Sequence, residues 1–114
     1  MPTNKAILQA ANACVAAGDN EGFLAYCTDD TTWNFIGDRT LEGKAAVRAY
    51  MKETYVQPPQ FDVANMIEDG EMVAAYGDIT LPDKDDKATT SSYCDVWRLR
   101  DGKLHELRTY VVKR

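Results

Sequence analysis

The first third of the chain has the hydrophobic spacing of α-helices. Apolar or small residues recur every three or four positions: Ile7, Ala10, Cys14 and Ala17. Gly18 follows and favours the left-handed conformation that ends many helices. Asp19 is a suitable N-cap for a second, short helix, so the two helices are expected to meet at a tight Gly18-Asp19 corner. The second helix carries three apolar residues: Phe23, Leu24 and Cys27.

The next segment predicts a strand followed by a helix. Residues 31–36 are mostly β-branched and aromatic, which is typical of a strand, and Gly37-Asp38 ends it. Residues 40–55 predict the third helix, because their apolar positions fall on one helical face. This stripe consists of Ala46, Val47, Tyr50, Met51 and Thr54. Pro58-Pro59 prevents the helix from continuing.

From Phe61 onward the pattern predicts two β-hairpins. Asp69-Gly70 and Asp101-Gly102 are each expected to form a two-residue hairpin loop, because Asp-Gly tolerates the positive φ angles of such loops. The four strands are predicted at residues 61–68, 71–81, 89–100 and 103–113. Residues 82–87 are predicted to form a charged connection between the hairpins, and they lack the Gly and Glu of a calcium loop.

The order of these elements, α-α-β-α-β-β-β-β, predicts an α+β fold. Three N-terminal helices can share one core with a strongly curved, mostly antiparallel sheet only if they pack on its concave face. The length of 114 residues suits a single domain that spans residues 1–114.

The second hairpin predicts which side chains share a face of the sheet. With Asp101-Gly102 as the loop, an uninterrupted ladder places Asp95 opposite Arg108. One face then carries Tyr93, Asp95, Trp97, Leu99, Leu104, Glu106, Arg108 and Tyr110. The other carries Cys94, Val96, Arg98, His105, Leu107, Thr109 and Val111. Since neither face is cleanly polar, one is expected to pack on helices and line a pocket, and the other to meet a second copy of the chain.

Asp95 has two alternative environments in this arrangement. An ion pair with Arg108 would lower the pKa of the carboxyl group, whereas apolar walls would raise it. The register favours the ion pair. His105, paired with Arg98 near the end of the hairpin, is expected to be a solvated surface residue.

Charge and composition exclude several classes of function. The net charge of −5 argues against binding to nucleic acid or to an anionic membrane surface. No targeting segment or membrane span is evident at the N-terminus or elsewhere. The three cysteines are an odd number and widely spaced, which favours a reducing cytoplasm. Without a metal-ligand cluster or a phosphate-binding glycine loop, neither a metal nor another cofactor is expected.

Several short motifs resemble the nuclear-transport-factor-2-like superfamily, and within it SnoaL-like and ketosteroid-isomerase-like proteins. They are Gly18-Asp19-x-x-Gly22-Phe23, Asp29-Asp30-Thr31, Leu-Glu-Gly-Lys-Ala-Ala-Val at 41–47 and Tyr-Cys-Asp-Val-Trp-Arg-Leu-Arg-Asp-Gly-Lys-Leu at 93–104. The resemblance covers nearly the whole chain. It implies a cone-shaped α+β barrel with a hydrophobic pocket, commonly a homodimer through the sheet.

The resemblance also implies roles for individual positions. Asp95 falls where ketosteroid isomerases keep a protonated aspartate that donates to a developing oxyanion. The positions of their general base and of their helix-1 tyrosine are occupied by Phe35 and Ala11, so steroid isomerisation is expected to be negligible. The Arg-x-Asp pair of epoxide-hydrolase-like members is also missing, because Tyr93 precedes Cys94-Asp95.

Two functions remain open at this stage. The first is a pocket for a small apolar molecule, with cofactor-free proton transfer such as isomerisation, cyclisation or dehydration centred on Asp95. Hydroxyl donors would come from Tyr76, Tyr93 or Tyr110. The expected ligand-binding residues are Trp33, Phe35, Tyr50, Met51, Trp97 and Arg108. The second function is a non-catalytic, dimeric binding or assembly module, whose pocket would be plugged by Trp33 and Phe35.

Overall fold

The computed structural model describes residues 3–82 and 88–113, so residues 83–87 of the connection predicted at 82–87 lie outside the described part. The helices are α1 (Asn4–Ala16), α2 (Asn20–Leu24) and α3 (Lys44–Thr54). The strands are β1 (Cys27–Phe35), β2 (Arg39–Glu42), β3 (Gln60–Asp69), β4 (Met72–Pro82), β5 (Ala88–Arg100) and β6 (Lys103–Lys113). This confirms the predicted α+β fold.

The described strands form one curved sheet in the order β2-β1-β6-β5-β4-β3. β1 and β6 run parallel, and the other neighbouring pairs are antiparallel. The sheet is therefore mostly antiparallel, as predicted. β2 and β3 are its two edges and do not pair with each other in the described part of the chain, so the cone is open and not a closed barrel.

The corner between α1 and α2 forms as predicted. Gly18 has a φ of +80°, and the next N–H, that of Asp19, donates to the Cys14 carbonyl at 2.8 Å. The Asp19 carboxylate in turn accepts from the Gly22 N–H at 2.9 Å and caps α2. Cys27 was expected on this second helix but begins β1 instead, because α2 ends at Leu24.

The prediction of a helix over 40–55 is wrong in its first turn. Residues 39–42 form the edge strand β2, which pairs with β1 through Trp33 and Leu41, and α3 begins at Lys44. Gly43 separates the two elements at a φ of +92°, and its N–H donates to the Thr31 carbonyl at 2.8 Å. A four-residue strand is too short to show a clear hydrophobic alternation in the sequence.

The two hairpin loops differ in how well they were predicted. Asp101 and Gly102 have φ angles of +52° and +76°, and Arg100 pairs with Lys103, as the sequence indicates. In the first hairpin Asp69 pairs with Met72, so the loop is Gly70-Glu71, one residue later than expected. Gly70 has a φ of +61°, which a type II′ turn requires at its first loop position.

A β-bulge in β6 changes the predicted register of the second hairpin. Leu99 still pairs with Leu104, but Arg98 pairs with Glu106, so His105 is an extra residue in β6. Every later pair is shifted by one. Asp95 therefore lies opposite Thr109, and the predicted Asp95–Arg108 pair is wrong.

The shift exchanges the two faces of β6 beyond the bulge. Leu107 and Thr109 share the concave face with Trp97 and Asp95, whereas Arg108 pairs with Val96 on the convex face. The predicted sets of residues are thus correct for β5 and inverted for this part of β6.

Two threonines of β1 hold the bulge in place. The Thr31 hydroxyl donates to the His105 carbonyl at 3.0 Å, and the Thr28 hydroxyl lies 3.0 Å from His105 Nδ1. The pairing of β1 with β6 is itself irregular between Cys27 and Thr32. His105 is therefore partly buried at this junction, and the expectation of a solvated surface residue is wrong.

The core lies between the three helices and the concave face of the sheet. The helices contribute buried residues that include Leu8, Ala11, Val15, Phe23, Val47 and Met51. The sheet contributes residues that include Trp33, Val73, Trp97, Leu99 and Leu104. None of the helices in the described residues has the length and apolar character needed to cross a membrane.

Replacing Thr31 by Val tests the role of the bulge. Thr31 is fully buried, so the nearly isosteric Val leaves the His105 carbonyl without this donor. We expect Thr31→Val to lower the free energy of unfolding in urea by about 1–2 kcal/mol. Thr40→Val is the matched control, because Thr40 is exposed and its hydroxyl donates to the partly exposed Asn34 side chain at 3.1 Å, with an expected change within about 0.5 kcal/mol. Equal effects of the two substitutions would contradict this assignment.

Candidate functional site

A cavity of about 270 Å³ lies between the helices and the concave face of the sheet. α1 and α2 contribute Asn12, Val15 and Phe23 to its wall. α3 contributes Tyr50, and Tyr55 follows directly after its last residue. The sheet supplies the rest of the wall, mainly from the concave sides of β1, β4, β5 and β6. The wall is mostly apolar, as small-molecule sites in proteins usually are.

Trp33 is the centre of the aromatic part of this wall. Four other rings lie at centroid distances of 5.8–6.2 Å from it, in edge-to-face orientations. They belong to Phe23, Phe35, Tyr50 and Trp97. The indole is 5% exposed, and its Nε1–H has no hydrogen-bond partner among the described residues. The aromatic wall thus contains one buried donor that is not satisfied within it.

Asp95 carries the one carboxyl group among the described residues that line the cavity. Burial raises its pKa from the ordinary value of 3.8 to about 6, and a hydrogen bond with the Thr109 side chain opposes this rise. Of the described residues that line the cavity, none is Lys, Arg or His. The ion-pair alternative is therefore excluded, because the bulge turns Arg108 away from Asp95 and no other cation in the described wall replaces it.

Two tyrosines share this environment with Asp95. Burial raises the pKa of Tyr93 to about 12, and the negative charge of Asp95 adds to the effect. Burial also raises the pKa of Tyr55, with further contributions from Tyr50 and Asp95. Both phenols consequently keep their protons at neutral pH and can donate hydrogen bonds.

The structure places six of the ten predicted site residues in the cavity wall. These are Trp33, Phe35, Tyr50, Tyr93, Asp95 and Trp97. The other four do not line it. Met51 is fully buried in the core, and Tyr76 lies opposite Cys94 on the convex face. Tyr110 and Arg108 also lie on the convex face, because the bulge inverts this part of β6.

Several wall residues were not predicted as site residues. Thr109 was assigned to the wrong face for the same reason as Arg108. Tyr55 follows the last turn of α3, and its proximity to Tyr50, at a ring distance of 5.9 Å, is a sequence-local feature that could have indicated it. Asn12 lies beside the apolar stripe of α1, where nothing in the sequence distinguishes it from a solvent-exposed residue.

The pKa of Asp95 predicts a pH-dependent effect of Asp95→Asn. Because the folded-state pKa of about 6 exceeds the ordinary 3.8, the wild-type free energy of unfolding falls as the pH rises between these values. At pH 7 the Asn variant should be more stable than the wild type, by up to about 3 kcal/mol, and this advantage should vanish near pH 4.

Urea denaturation at several pH values, together with a carboxyl-carbon NMR titration, measures this effect. Asp69→Asn, at an exposed hairpin position, is the control and should change stability by less than about 0.5 kcal/mol throughout. An Asp95 titration midpoint below 4, or an Asn variant that is clearly less stable at pH 7, would disprove the desolvated environment.

The fold agrees with the comparisons with known proteins. Residues 8–107 match the sequence profile described as the SnoaL-like domain. An NTF2-like protein of unknown function from Burkholderia pseudomallei K96243 superposes with a TM-score of 0.85 at 19% identity, over 96% of this chain and 90% of that one. No curated protein matches the sequence.

Two solved structures of proteins that are named for an enzymatic activity have the same fold. An LEH-like epoxide hydrolase from M. tuberculosis has a TM-score of 0.83 at 16% identity, over 95% of this chain and 81% of that one. A provisionally assigned polyketide cyclase from Pseudomonas putida KT2440 has a TM-score of 0.80 at 20% identity, over 96% and 92%. At these identities the structures show a shared fold, that of NTF2-like proteins, and the profile match shows the family: the chain belongs to the SnoaL-like domain family.

Proposed function

We propose that the protein binds a small, largely apolar molecule in this cavity and that Asp95 transfers a proton to or from it without a cofactor. The reaction class is isomerisation, cyclisation or dehydration. The observation that carries this proposal is the Asp95 carboxyl group, with a pKa of about 6, in a cavity whose described wall contains no cation.

The electrostatics of the cavity suit general acid–base chemistry. A carboxyl group with a pKa of about 6 is mostly ionised at pH 7 and is more basic than an ordinary aspartate. The hydrogen bond with Thr109 holds the carboxylate on the cavity wall. Tyr93 and Tyr55 remain protonated and can donate to an oxygen on which negative charge develops.

The size and composition of the cavity narrow the substrate class. A volume of about 270 Å³ lies just below the roughly 300–1,000 Å³ of drug-sized sites, so a compact, one- or two-ring molecule fits best. The described wall holds one carboxyl group and no arginine, which favours proton transfer over the epoxide opening of the M. tuberculosis protein. Phe35 and the buried Ala11 lack the base and the phenol of a steroid isomerase, so turnover of a Δ5-3-ketosteroid is expected to be negligible.

The non-catalytic alternative predicts a cavity that is filled by side chains. In a pure assembly module the aromatic side chains would fill the pocket. Here Trp33 and Phe35 form part of the wall, and the open volume extends to Asp95. This arrangement supports ligand binding over a vestigial pocket.

Ligand binding and chemistry are tested separately. A thermal-shift screen of small steroid-like, polyketide-like and terpene-like compounds should find ligands that raise Tm. Val111 and Val112 are neighbours on opposite faces of β6, and Val111 lines the cavity. Val111→Trp should therefore abolish the shift, and Val112→Trp should preserve it. No shift with any compound, or a shift that survives Val111→Trp, would contradict the proposed binding site.

Proton transfer is then measured as deuterium incorporation into a bound ligand in D₂O. Asp95→Asn should slow this exchange by about 100-fold or more, because general acid–base groups typically contribute this much. The Val112→Trp variant should incorporate deuterium into the ligand at the wild-type rate. If Asp95→Asn does not change the rate of deuterium incorporation, the proposed binding site stands but Asp95 is not the group that transfers the proton.

The proposal includes a homodimer through the convex face of the sheet. The predicted contact residues Val96, Leu107 and Val111 need correction, because Leu107 and Val111 line the cavity. Val96 does lie on the convex face, near the exposed Tyr76 and Tyr110 on the adjacent strands. These apolar groups on the central strands of the sheet favour a second copy as the covering partner.

Light scattering at micromolar concentration should show a dimer, whose interface is expected to bury about 1,000 Å² or more. Val96→Asp should give monomers, whereas Val56→Asp, at a position 81% exposed outside the sheet, should leave the dimer intact. A monomeric wild type would contradict the dimer.

We also place the protein in a reducing cytoplasm, which is consistent with three free cysteines at Cys14, Cys27 and Cys94.

A further inference from the structure

A groove of about 350 Å³ lies between α1 and β3. α1 lines it with Lys5, Gln9 and Asn12, and β3 lines it with Val63, Asn65 and Met66. Asn12 also lines the central cavity, so the two spaces meet at this residue. The groove therefore leads from the cavity toward the surface of the protein.

One face of α1 runs from the cavity along the groove. Val15 lines the cavity, and Asn12 lines both spaces. Gln9 and Lys5 line the groove alone. These four positions are three or four residues apart, so their side chains lie on the same side of the helix. Along the helix axis, Lys5 is about 10 Å from Asn12.

β3 follows α1 in the opposite chain direction. Phe61 lines the cavity, and Met66, farther along the strand, lines the groove. The Glu68 carboxylate accepts from the main-chain N–H of Lys5 at 3.1 Å, which holds the start of α1 against the end of β3. The helix and the strand thus guide the groove away from the cavity together.

The wall of the groove contains three side-chain amides, those of Gln9, Asn12 and Asn65. An amide offers both N–H donors and a carbonyl acceptor. Asn65 Oδ1 accepts from the Met66 N–H at 2.8 Å, and its Nδ2 group can donate to a ligand. Because amides complement one another as donors and acceptors, this wall favours a chain that itself carries amide groups.

Lys5 is the one charged residue among the described residues that line the groove. Its ammonium group forms no ion pair within the described part of the chain, since the contact with Glu68 is made by its main-chain N–H. A carboxylate can therefore pair with Lys5 at the outer end of the groove. Inside the cavity the same carboxylate would meet Asp95 without a counter-ion.

We propose that the groove between α1 and β3 binds an extended, amide-bearing tail of the ligand, whose terminal carboxylate pairs with Lys5 while the apolar body occupies the cavity. This inference rests on the proposed function, because the cavity must bind the apolar body. It adds a second part of the binding site and a substrate class, a compact ring system joined to a peptide-like, acidic chain.

A probe with a tail of matching length tests the groove. Naphthylacetyl-triglycine has a two-ring body and three extended residues, which span about 10 Å. Its carboxamide has the same shape without the terminal charge. The wild-type protein should bind the acid about 2- to 5-fold more tightly than the carboxamide, as expected for one partly exposed ion pair. Added sodium chloride should reduce this preference.

Lys5→Gln and Lys52→Gln form a matched pair of variants. Lys52 is exposed on α3 and does not line the groove. Lys5→Gln should abolish the preference for the acid, and Lys52→Gln should keep it. Both substitutions remove one positive charge, so the comparison separates a local contact from an effect of net charge.

The side-chain amide signals of Gln9 and Asn65 report directly on the groove in ¹⁵N-labelled protein. Naphthylacetyl-triglycine should shift both signals, whereas naphthylacetamide, which lacks the tail, should bind without shifting them. Acetyl-triglycine, which lacks the rings, should shift neither at the same concentration, because hydrogen bonds at an exposed surface contribute little net affinity. Gln9→Ala assigns one signal by its loss.

The outcomes separate this inference from the function on which it rests. If naphthylacetamide binds but the tailed probe shifts neither signal, the groove is not part of the site and the cavity function stands. A preference for the acid that persists in Lys5→Gln would also refute the inference. Acetyl-triglycine that binds as tightly as the ringed probe would overturn the joint site. Failure of every probe at millimolar concentration would count against the proposed binding function as well.

Discussion

The extra residue at His105 is the constraint on which the rest of the site depends. By shifting β6 one position along β5, it brings Leu107 and Thr109 to the concave face and sends Arg108 to the convex face. A ladder without the bulge would place a guanidinium beside Asp95. That guanidinium would lower the pKa of the carboxyl group instead of allowing burial to raise it. One inserted residue thus decides whether the cavity contains an ion pair or a lone carboxyl group.

The bulge is stable because β1 satisfies its polar groups. Thr31 and Thr28 bond to the main chain and the ring of His105 across the parallel β1–β6 pair. The same strand carries Trp33 and Phe35 into the cavity wall two and four residues after Thr31. The contacts that fix the register and the side chains that shape the cavity therefore belong to one strand, and a change in one is expected to disturb the other.

The cavity keeps two polar groups in environments that oppose folding. The Asp95 carboxylate is desolvated without a cation, and the Trp33 N–H is buried without an acceptor among the described residues. Both groups would have a lower free energy in water. The free-energy cost of burying them must be offset by hydrophobic packing elsewhere in the protein. Titratable groups whose pKa values are shifted in this way are found preferentially at functional sites.

The sequence by itself determined most elements, the mixed α+β class and much of the aromatic wall. These features depend on neighbours in the chain: helical stripes, the Gly18-Asp19 corner, the Asp101-Gly102 loop and the alternation along β5. Asp95 and Tyr93 were assigned to the correct face for this reason. The short strand β2 was missed, because four residues carry too little periodicity to be distinguished from the start of a helix.

Only the tertiary structure decided the register of β6, and with it the environment of Asp95. Nothing in the sequence around His105 marks it as an extra residue, because the bonds that stabilise the bulge come from Thr28 and Thr31, 77 and 74 positions away. The contacts of Trp33 with the rings of Phe23, Tyr50 and Trp97 likewise depend on how α2, α3 and β5 pack against β1. Local patterns fix which way each strand alternates, but pairing between distant strands decides which side chains finally meet.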